Sequence, residues 1–232
     1  MQKIIPTLCI ALGALSLAQS ATAETLTFQQ GVNGYNGVYD TFLDRFSSWA
    51  NNENQLRIYA DDNYNHALIR FDNVFGSAAG QIGSGYQITS ATLTLVSSND
   101  IYMGALNARD ILVNWAESDT WDTLGNGMSV GSEVGAANWA GVNNRYTWAF
   151  DVTSSLQAVQ SGALPGFGWM LGSPQDFGGA MFYSSENALN LTPMLSITIS
   201  AVPEPETYAM MLAGLAAIGA VARRRRNGDQ SA

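Results

Sequence analysis

Apolar and polar positions alternate through much of the chain between residues 24 and 200, and turn-forming residues interrupt the alternation at short intervals. Successive side chains on a strand point to opposite faces, so each such run predicts a strand with one buried face. Thr25–Phe28, Leu56–Ala60, Ala67–Phe71 and Ile88–Val96 read this way. In the last, Ile88, Ala91, Leu93 and Leu95 are the apolar set, while Thr92 and Thr94 take the other side. Ala108–Val113, Tyr146–Phe150, Gly168–Leu171, Ala180–Tyr183 and Met194–Ile199 complete the series. Asp61-Asp62-Asn63-Tyr64-Asn65 reads as a hairpin loop between its flanking strands. One segment has a helical period: Val152, Leu156 and Val159 share a face, with Asp151 or Thr153 placed to cap its start and Gly162 its end. Eight or nine strands and one short crossover helix predict an all-β fold, a two-sheet β-sandwich of jelly-roll type.

The two ends depart from this pattern. Lys3, the apolar run Ile4–Ala18 and Ala21-Thr22-Ala23 have the parts of a cleavable secretory signal peptide, which would leave Glu24 first in the mature chain. At the other end stand Val202-Pro203-Glu204-Pro205-Glu206, an apolar run from Tyr208 to Ala222, and Arg223-Arg224-Arg225-Arg226. Prolines at alternate positions interrupt regular structure, so the pentad reads as an extended spacer. The fifteen-residue run would rise about 22 Å as a helix, short of the roughly 30 Å of a bilayer core. It therefore reads as a marginal transmembrane helix that holds the chain transiently at residues 208–222, with the arginines on the cytoplasmic side as a stop. The expected organisation is a signal peptide at 1–23, a sandwich domain at 24–200, a sorting segment at 201–226 and a cytoplasmic tail at 227–232.

This tail resembles the PEP-CTERM sorting signal of Gram-negative bacteria that make extracellular polysaccharide. Val202, Pro203, Glu204 and Pro205 carry the motif, followed by the hydrophobic helix and the arginine cluster. The resemblance implies an exosortase as processing partner, removal of the tail, and delivery to the cell surface or extracellular matrix.

Charge and cysteine usage narrow the chemistry. Between residues 24 and 202 there are five arginines, no lysine and sixteen acidic residues, a balance that repels nucleic acid and anionic lipid and suits calcium or neutral partners. The single cysteine, Cys9, lies in the predicted signal peptide, so disulfides, zinc-thiolate sites and cysteine nucleophiles are not expected in the mature domain. His66 is the only histidine. Alternation places it with Leu68 and Arg70, opposite Ala67, Ile69 and Phe71, and no acid–base motif stands out around it.

Several blocks of the domain resemble the DNRLRE-type domain, a β-sandwich related to carbohydrate-binding modules. They are Tyr39-Asp40-Thr41-Phe42-Leu43, Ala67-Leu68-Ile69-Arg70-Phe71-Asp72 and Ile88-Thr89-Ser90-Ala91-Thr92-Leu93-Thr94-Leu95. Trp115-Ala116-Glu117-Ser118-Asp119-Thr120-Trp121 and Phe150-Asp151-Val152-Thr153-Ser154-Ser155-Leu156-Gln157 follow. Phe182-Tyr183-Ser184-Ser185-Glu186, ahead of Pro193-Met194-Leu195, closes the set. The literal name string is absent, the nearest stretch being Asn54-Gln55-Leu56-Arg57. The resemblance implies a non-catalytic domain that binds or organises extracellular polysaccharide.

Six tryptophans give that expectation chemical content, because sugar rings pack their C–H faces on aromatic planes. Trp115, Glu117 and Trp121 combine aromatic and carboxylate groups in one loop-like segment, and Trp49 and Trp139 stand beside asparagines in irregular stretches. Core packing is the competing reading for each, and the default for Trp148 and Trp169 within strand patterns. Asp61 and Asp62, with Asn63, offer oxygen ligands of the kind calcium needs, although Asx-rich turns also form for backbone reasons. A carbohydrate-active hydrolase or lyase is the alternative of a different class, since sixteen acids permit many carboxylate pairs.

Overall fold

In the computed structural model the described residues are 23–46, 57–61, 65–102, 106–125, 128–142, 145–172, 179–187, 191–202 and 205–228. The predicted signal peptide up to residue 22, and Trp49, Asp62, Pro203 and Glu204, lie outside them. Ala23–Ala201 forms one compact unit.

Twelve strands and two helices form among the described residues. The first half of the chain supplies β1 (Glu24–Gln29), β2 (Val38–Asp44), β3 (Arg57–Asp61), β4 (Asn65–Phe71), β5 (Tyr86–Tyr102) and β6 (Asn107–Ile111). β7 (Val130–Ala136), β8 (Asn138–Val142) and β9 (Arg145–Asp151) lead into helix α1 (Thr153–Gln160). β10 (Trp169–Gly172), β11 (Gly179–Tyr183) and β12 (Met194–Ala201) close the sandwich, and α2 (Pro205–Gly228) is the C-terminal helix.

The strands sort into a seven-stranded sheet built on β5 and a five-stranded sheet in the order β2-β4-β10-β6-β7. Every pairing between these strands is antiparallel. From β1 to β6 the chain changes sheet at each step, the interleaving expected of a jelly roll. The seventeen residues of β5 make it the spine of the larger sheet. It pairs with β12 from Tyr86 to Thr94, with β9 from Thr92 to Ser97, and with β11 from Ser97 to Tyr102.

The alternation decides which side chains enter the core. Ala67, Ile69 and Phe71 of β4 and Ala91, Leu93 and Leu95 of β5 join Phe150, Phe182, Leu195 and Ile197 in one buried cluster. Fully burying a side chain such as Leu93 or Ile69 contributes roughly 1.5–3 kcal/mol, so this shared interior dominates the stability of the fold. Trp148 lies in the same cluster and donates its indole N–H to Ser97 Oγ at 2.9 Å, which satisfies the one polar group it buries.

Three expectations change. β3 and β4 do not form a hairpin across Asp61–Asn65, because β3 pairs with β11 in the larger sheet and β4 with β2 and β10 in the smaller. The buried Ala60 of β3 and the buried face of β4 thus enter one core from opposite sheets. β7 and β8, rich in Gly, Ala and Asn, add strands that alternation did not reveal. At α1 the N-cap position is Val152, without a side-chain cap; Asp151 Oδ1 instead accepts the N–H of Thr153 at 2.9 Å. That contact and the bond from the Thr153 hydroxyl hold the Asp151 carboxyl below its ordinary value. Gly162 stops the helix as expected, with φ of 78° and its N–H on Val159 O at 3.0 Å.

Considered by itself, α2 forms where the apolar run predicted a helix, with Met210, Met211, Leu212, Leu215 and Ile218 exposed. It corrects the reading of a transmembrane helix: among the described residues no helix is long and apolar enough to cross a membrane. Its apolar stretch is bounded by Glu206 on one side and Arg223 on the other, which limits the length that could sit in hydrocarbon.

Gly168 provides a test of how tightly the sandwich closes. Its φ is +81°, and a Cβ added there would fall 2.0 Å from the carbonyl oxygen of Ile69, whereas at Gly162 a Cβ would meet nothing. Gly168→Ala is therefore expected to lower the unfolding free energy by more than about 1 kcal/mol, and by clearly more than Gly162→Ala. Urea denaturation of the two variants beside the parent checks this order.

Candidate functional site

Among the described residues, the outer face of the smaller sheet is covered by the stretch 112–125 and by Met128. Leu43 of β2 and Leu68 of β4 point outward, as their alternation with Phe42 and Ala67 requires, and pack with Ile111 and Trp115 in a second small core. Trp121, Leu124, Met128, Phe167 and Met170 close around it. Trp115 is 3% exposed and donates its indole N–H to Phe167 O at 2.7 Å. A ring with this exposure cannot present a flat platform to a polysaccharide, so Trp115 is a packing residue. Trp121 is half-buried, and its ring centroid lies 5.2 Å from that of His66. His66 stands with Leu68 and Arg70 on this outer face, as alternation predicted.

Arg70 ties the cover to the sheet. Its guanidinium carbon lies 5.0 Å from the centroids of both Tyr39 and Trp115, a cation–π contact on two rings. Its Nη1 donates to Trp115 O at 3.0 Å, and Nε lies 2.8 Å from Asp72 Oδ1. Glu117 serves the same cover: its Oε1 accepts the backbone N–H of Asp40 at 3.1 Å, and its carbonyl accepts the Thr41 hydroxyl at 3.3 Å. Glu117 thereby satisfies an N–H of β2 at the edge of the five-stranded sheet, where no strand could. Asp119 accepts the N–H of Ala116 at 2.8 Å and the hydroxyl of Thr123 at 3.2 Å, which makes it a turn residue.

The group missed from sequence is Asp40. It alternates with Val38 and Phe42 on the inward face of β2 and is 2% exposed. Its Oδ2 accepts the N–H of Ser185 at 2.7 Å, while Oδ1 is buried with no hydrogen-bond partner among the described residues. The Ser185 hydroxyl donates to Glu186 Oε1 at 2.7 Å. Burial, with the carboxylates of Glu186 and Glu117 nearby, drives the Asp40 carboxyl well above its ordinary value, and the Ser185 bonds only partly offset this. The signal was present in the sequence as an acidic residue in an inward position of Val38–Phe42, and parity alone would have exposed it.

The remaining predicted residues fall elsewhere. Trp139 is on β8, paired in register with Trp148, and its side chain is not among those described; Trp49 is outside the described residues. Asp61 ends β3 opposite Gly179, and Asp62 is outside the described residues. Among the described residues no three His, Cys, Asp or Glu side chains gather in a way that could hold a metal ion. Val202 is exposed at the end of the sandwich, Pro205 opens α2, and Arg223 is exposed on that helix, with Arg224, Arg225 and Arg226 following in it.

Residues 201–226 match the PEP-CTERM protein-sorting motif. No curated protein matches the chain. The motif marks an exported, cell-envelope-associated protein that is processed by exosortase. What it sorts is a two-sheet β-sandwich.

Asp40 gives a pH-dependent signature. A carboxyl raised on folding takes up a proton as the chain folds, so its contribution is most favourable at and below the ordinary value of 3.8. Stability is lost as pH rises from there towards the raised value. Asp40→Asn removes the ionisation, keeps an acceptor for Ser185 N–H, and offers amide donors to the neighbouring carboxylates. It is expected to stabilise the fold at pH 7 by on the order of 1 kcal/mol and to flatten that decline. Melting temperatures of parent and variant between pH 3.5 and pH 8, the scan set by the ordinary value of 3.8, check both statements.

Proposed function

We propose that this is a non-catalytic surface or matrix protein that binds or organises extracellular polysaccharide, through a sandwich of the DNRLRE-type, carbohydrate-binding-module-like kind. The observation that carries the reading is the PEP-CTERM motif joined to a β-sandwich, since the motif sends the domain to the envelope. The spatial arrangement of the resembling blocks supports it. Tyr39–Leu43 lies on β2, Ala67–Phe71 on β4, the Trp115–Trp121 segment covers both, and Phe182–Glu186 runs from β11 to the Asp40 carboxylate. Three of the described carboxylates are held in structural tasks: Glu117 on a strand edge, Asp119 in a turn, Asp151 at a helix start. Export begins with the signal peptide, and α2 docks transiently at the membrane through residues 208–222 while exosortase removes the tail. Trp49, Trp139 and Trp121 are the tryptophans proposed to stack on sugar, with calcium at Asp61 and Asp62 as a supporting ion.

Binding of the purified chain to neutral and acidic polysaccharides, with sugar release assayed in the same tubes, tests this. Saturable binding without release is expected. Release of sugar would overturn the non-catalytic reading and favour a hydrolase or lyase. Trp49→Ala and Trp139→Ala should each weaken binding about tenfold, or ~1.4 kcal/mol, at an unchanged melting temperature. A melting temperature that falls on adding a chelator would identify calcium as a structural partner, and an unchanged one would remove it.

A further inference from the structure

A cleft of about 240 Å³ opens where α1, the turn after β4 and the loop before β10 meet. Its partly exposed apolar walls include Phe75, Val159, Leu164 and Phe167, backed by the buried core residues Phe71, Leu156 and Trp169. Asp110, 8% exposed, is among the residues that line it. A chain of buried hydrogen bonds positions the Asp110 carboxyl. Trp169 Nε1 donates to Ser155 Oγ at 2.8 Å, and Ser155 Oγ donates in turn to Asp110 Oδ1. The walls are set by backbone as well: Gly166 and Gly168 have φ of 77° and 81°, and Ile111 N donates to Gly168 O at 2.9 Å. The core supplies the back of this cleft, through Phe71, Leu156 and Trp169, and the sorting motif has no part in it.

We propose that this cleft binds the terminal, uncharged hexose residue of a polysaccharide chain, with Asp110 accepting a ring hydroxyl and the aromatic walls taking the C–H faces. The inference rests on the polysaccharide-binding reading above and adds its site and sugar class. Size sets the first limit: pockets for drug-sized ligands occupy roughly 300–1,000 Å³, so this cleft suits one pyranose ring at a chain end. Charge sets the second. Its lining includes Asp72, already paired with Arg70, and Asp110, and no Lys, Arg or His, so a uronate would find no counter-charge to offset its desolvation. Chemistry sets the third, because a buried carboxyl in an apolar cleft makes a strong acceptor for a hydroxyl, and aromatic rings match the apolar sugar face. Burial raises the Asp110 carboxyl above its ordinary value, and the hydrogen bond from Ser155, itself oriented by Trp169, partly offsets this.

The test uses the full chain with glucose, galactose and mannose as probes, glucuronate and galacturonate as charged counterparts, and saturation-transfer NMR with titration as the readout. At least one neutral hexose is expected to bind saturably, and its uronate at least tenfold more weakly. Val159→Trp, which fills the cleft from α1, should abolish that binding, and Leu164→Trp from the loop before β10 serves if the first variant does not fold. Asp110→Asn keeps an acceptor for Ser155 and should lower affinity at least tenfold while the melting temperature holds or rises. A purely structural aspartate would move stability and leave affinity alone. No hexose binding, equal uronate binding, or binding retained in a filled cleft would each overturn the inference. Polysaccharide binding that survives cleft filling would overturn it while leaving the polysaccharide-binding reading intact. Hexose binding without polysaccharide binding would do the reverse.

Discussion

Each sheet of this sandwich has one strongly apolar face, and those two faces have each other to cover them. That constraint orders the rest of the structure. Ala67, Ile69 and Phe71 from one sheet and Ala91, Leu93 and Leu95 from the other must meet in one core, and from β1 to β6 consecutive strands alternate between layers instead of pairing locally. Non-local pairing follows, as in β1 with β12 and β2 with β4. The glycine conformations follow too, since Gly168 must bring one backbone against another where no side chain fits.

The smaller sheet adds a second demand. Leu43 and Leu68 leave an apolar patch on its outer face, and Val113, Trp115, Trp121, Leu124 and Met128 pack over it. That cover is held by polar contacts of few types: Arg70 between two rings, Glu117 on the edge of β2, the Trp115 indole on a carbonyl. Residues that read as a sugar platform in the sequence are the rivets of this cover. The same economy buries Asp40 at the junction of β2 with the chain beyond β11, where a charge is least welcome and, among the described residues, Ser185 bonds its side chain.

How far the sequence reveals this depends on the kind of signal. Alternation is a local property, so β4, the core of β5, β12 and the side of β4 on which His66 lies were legible. Partner choice is not local: nothing between Asp61 and Asn65 indicates that β3 and β4 belong to different sheets, and the Asx-rich turn imitates a hairpin. β7 and β8 escaped because Gly, Ala and Asn contribute little apolar contrast. Trp115 was ambiguous because a tryptophan in a loop reads alike whether it covers a sheet or faces solvent. The sorting motif was fully legible, since it works as a linear address whose order of parts is its content. The Asp110, Ser155 and Trp169 chain lay on three separate elements and had no linear trace.

The sorting motif marks an exported, envelope-associated protein, and the proposed setting of its acidic sandwich is a hydrated polysaccharide matrix outside the cell. The most direct test of that placement is to digest the matrix of living cells with polysaccharide-degrading enzymes and follow the mature protein by immunoblot. Release of the protein in step with soluble sugar is the expected result. Protein that stays with the cells after the polysaccharide is gone would contradict a polysaccharide-bound role and leave the envelope itself as its site of attachment.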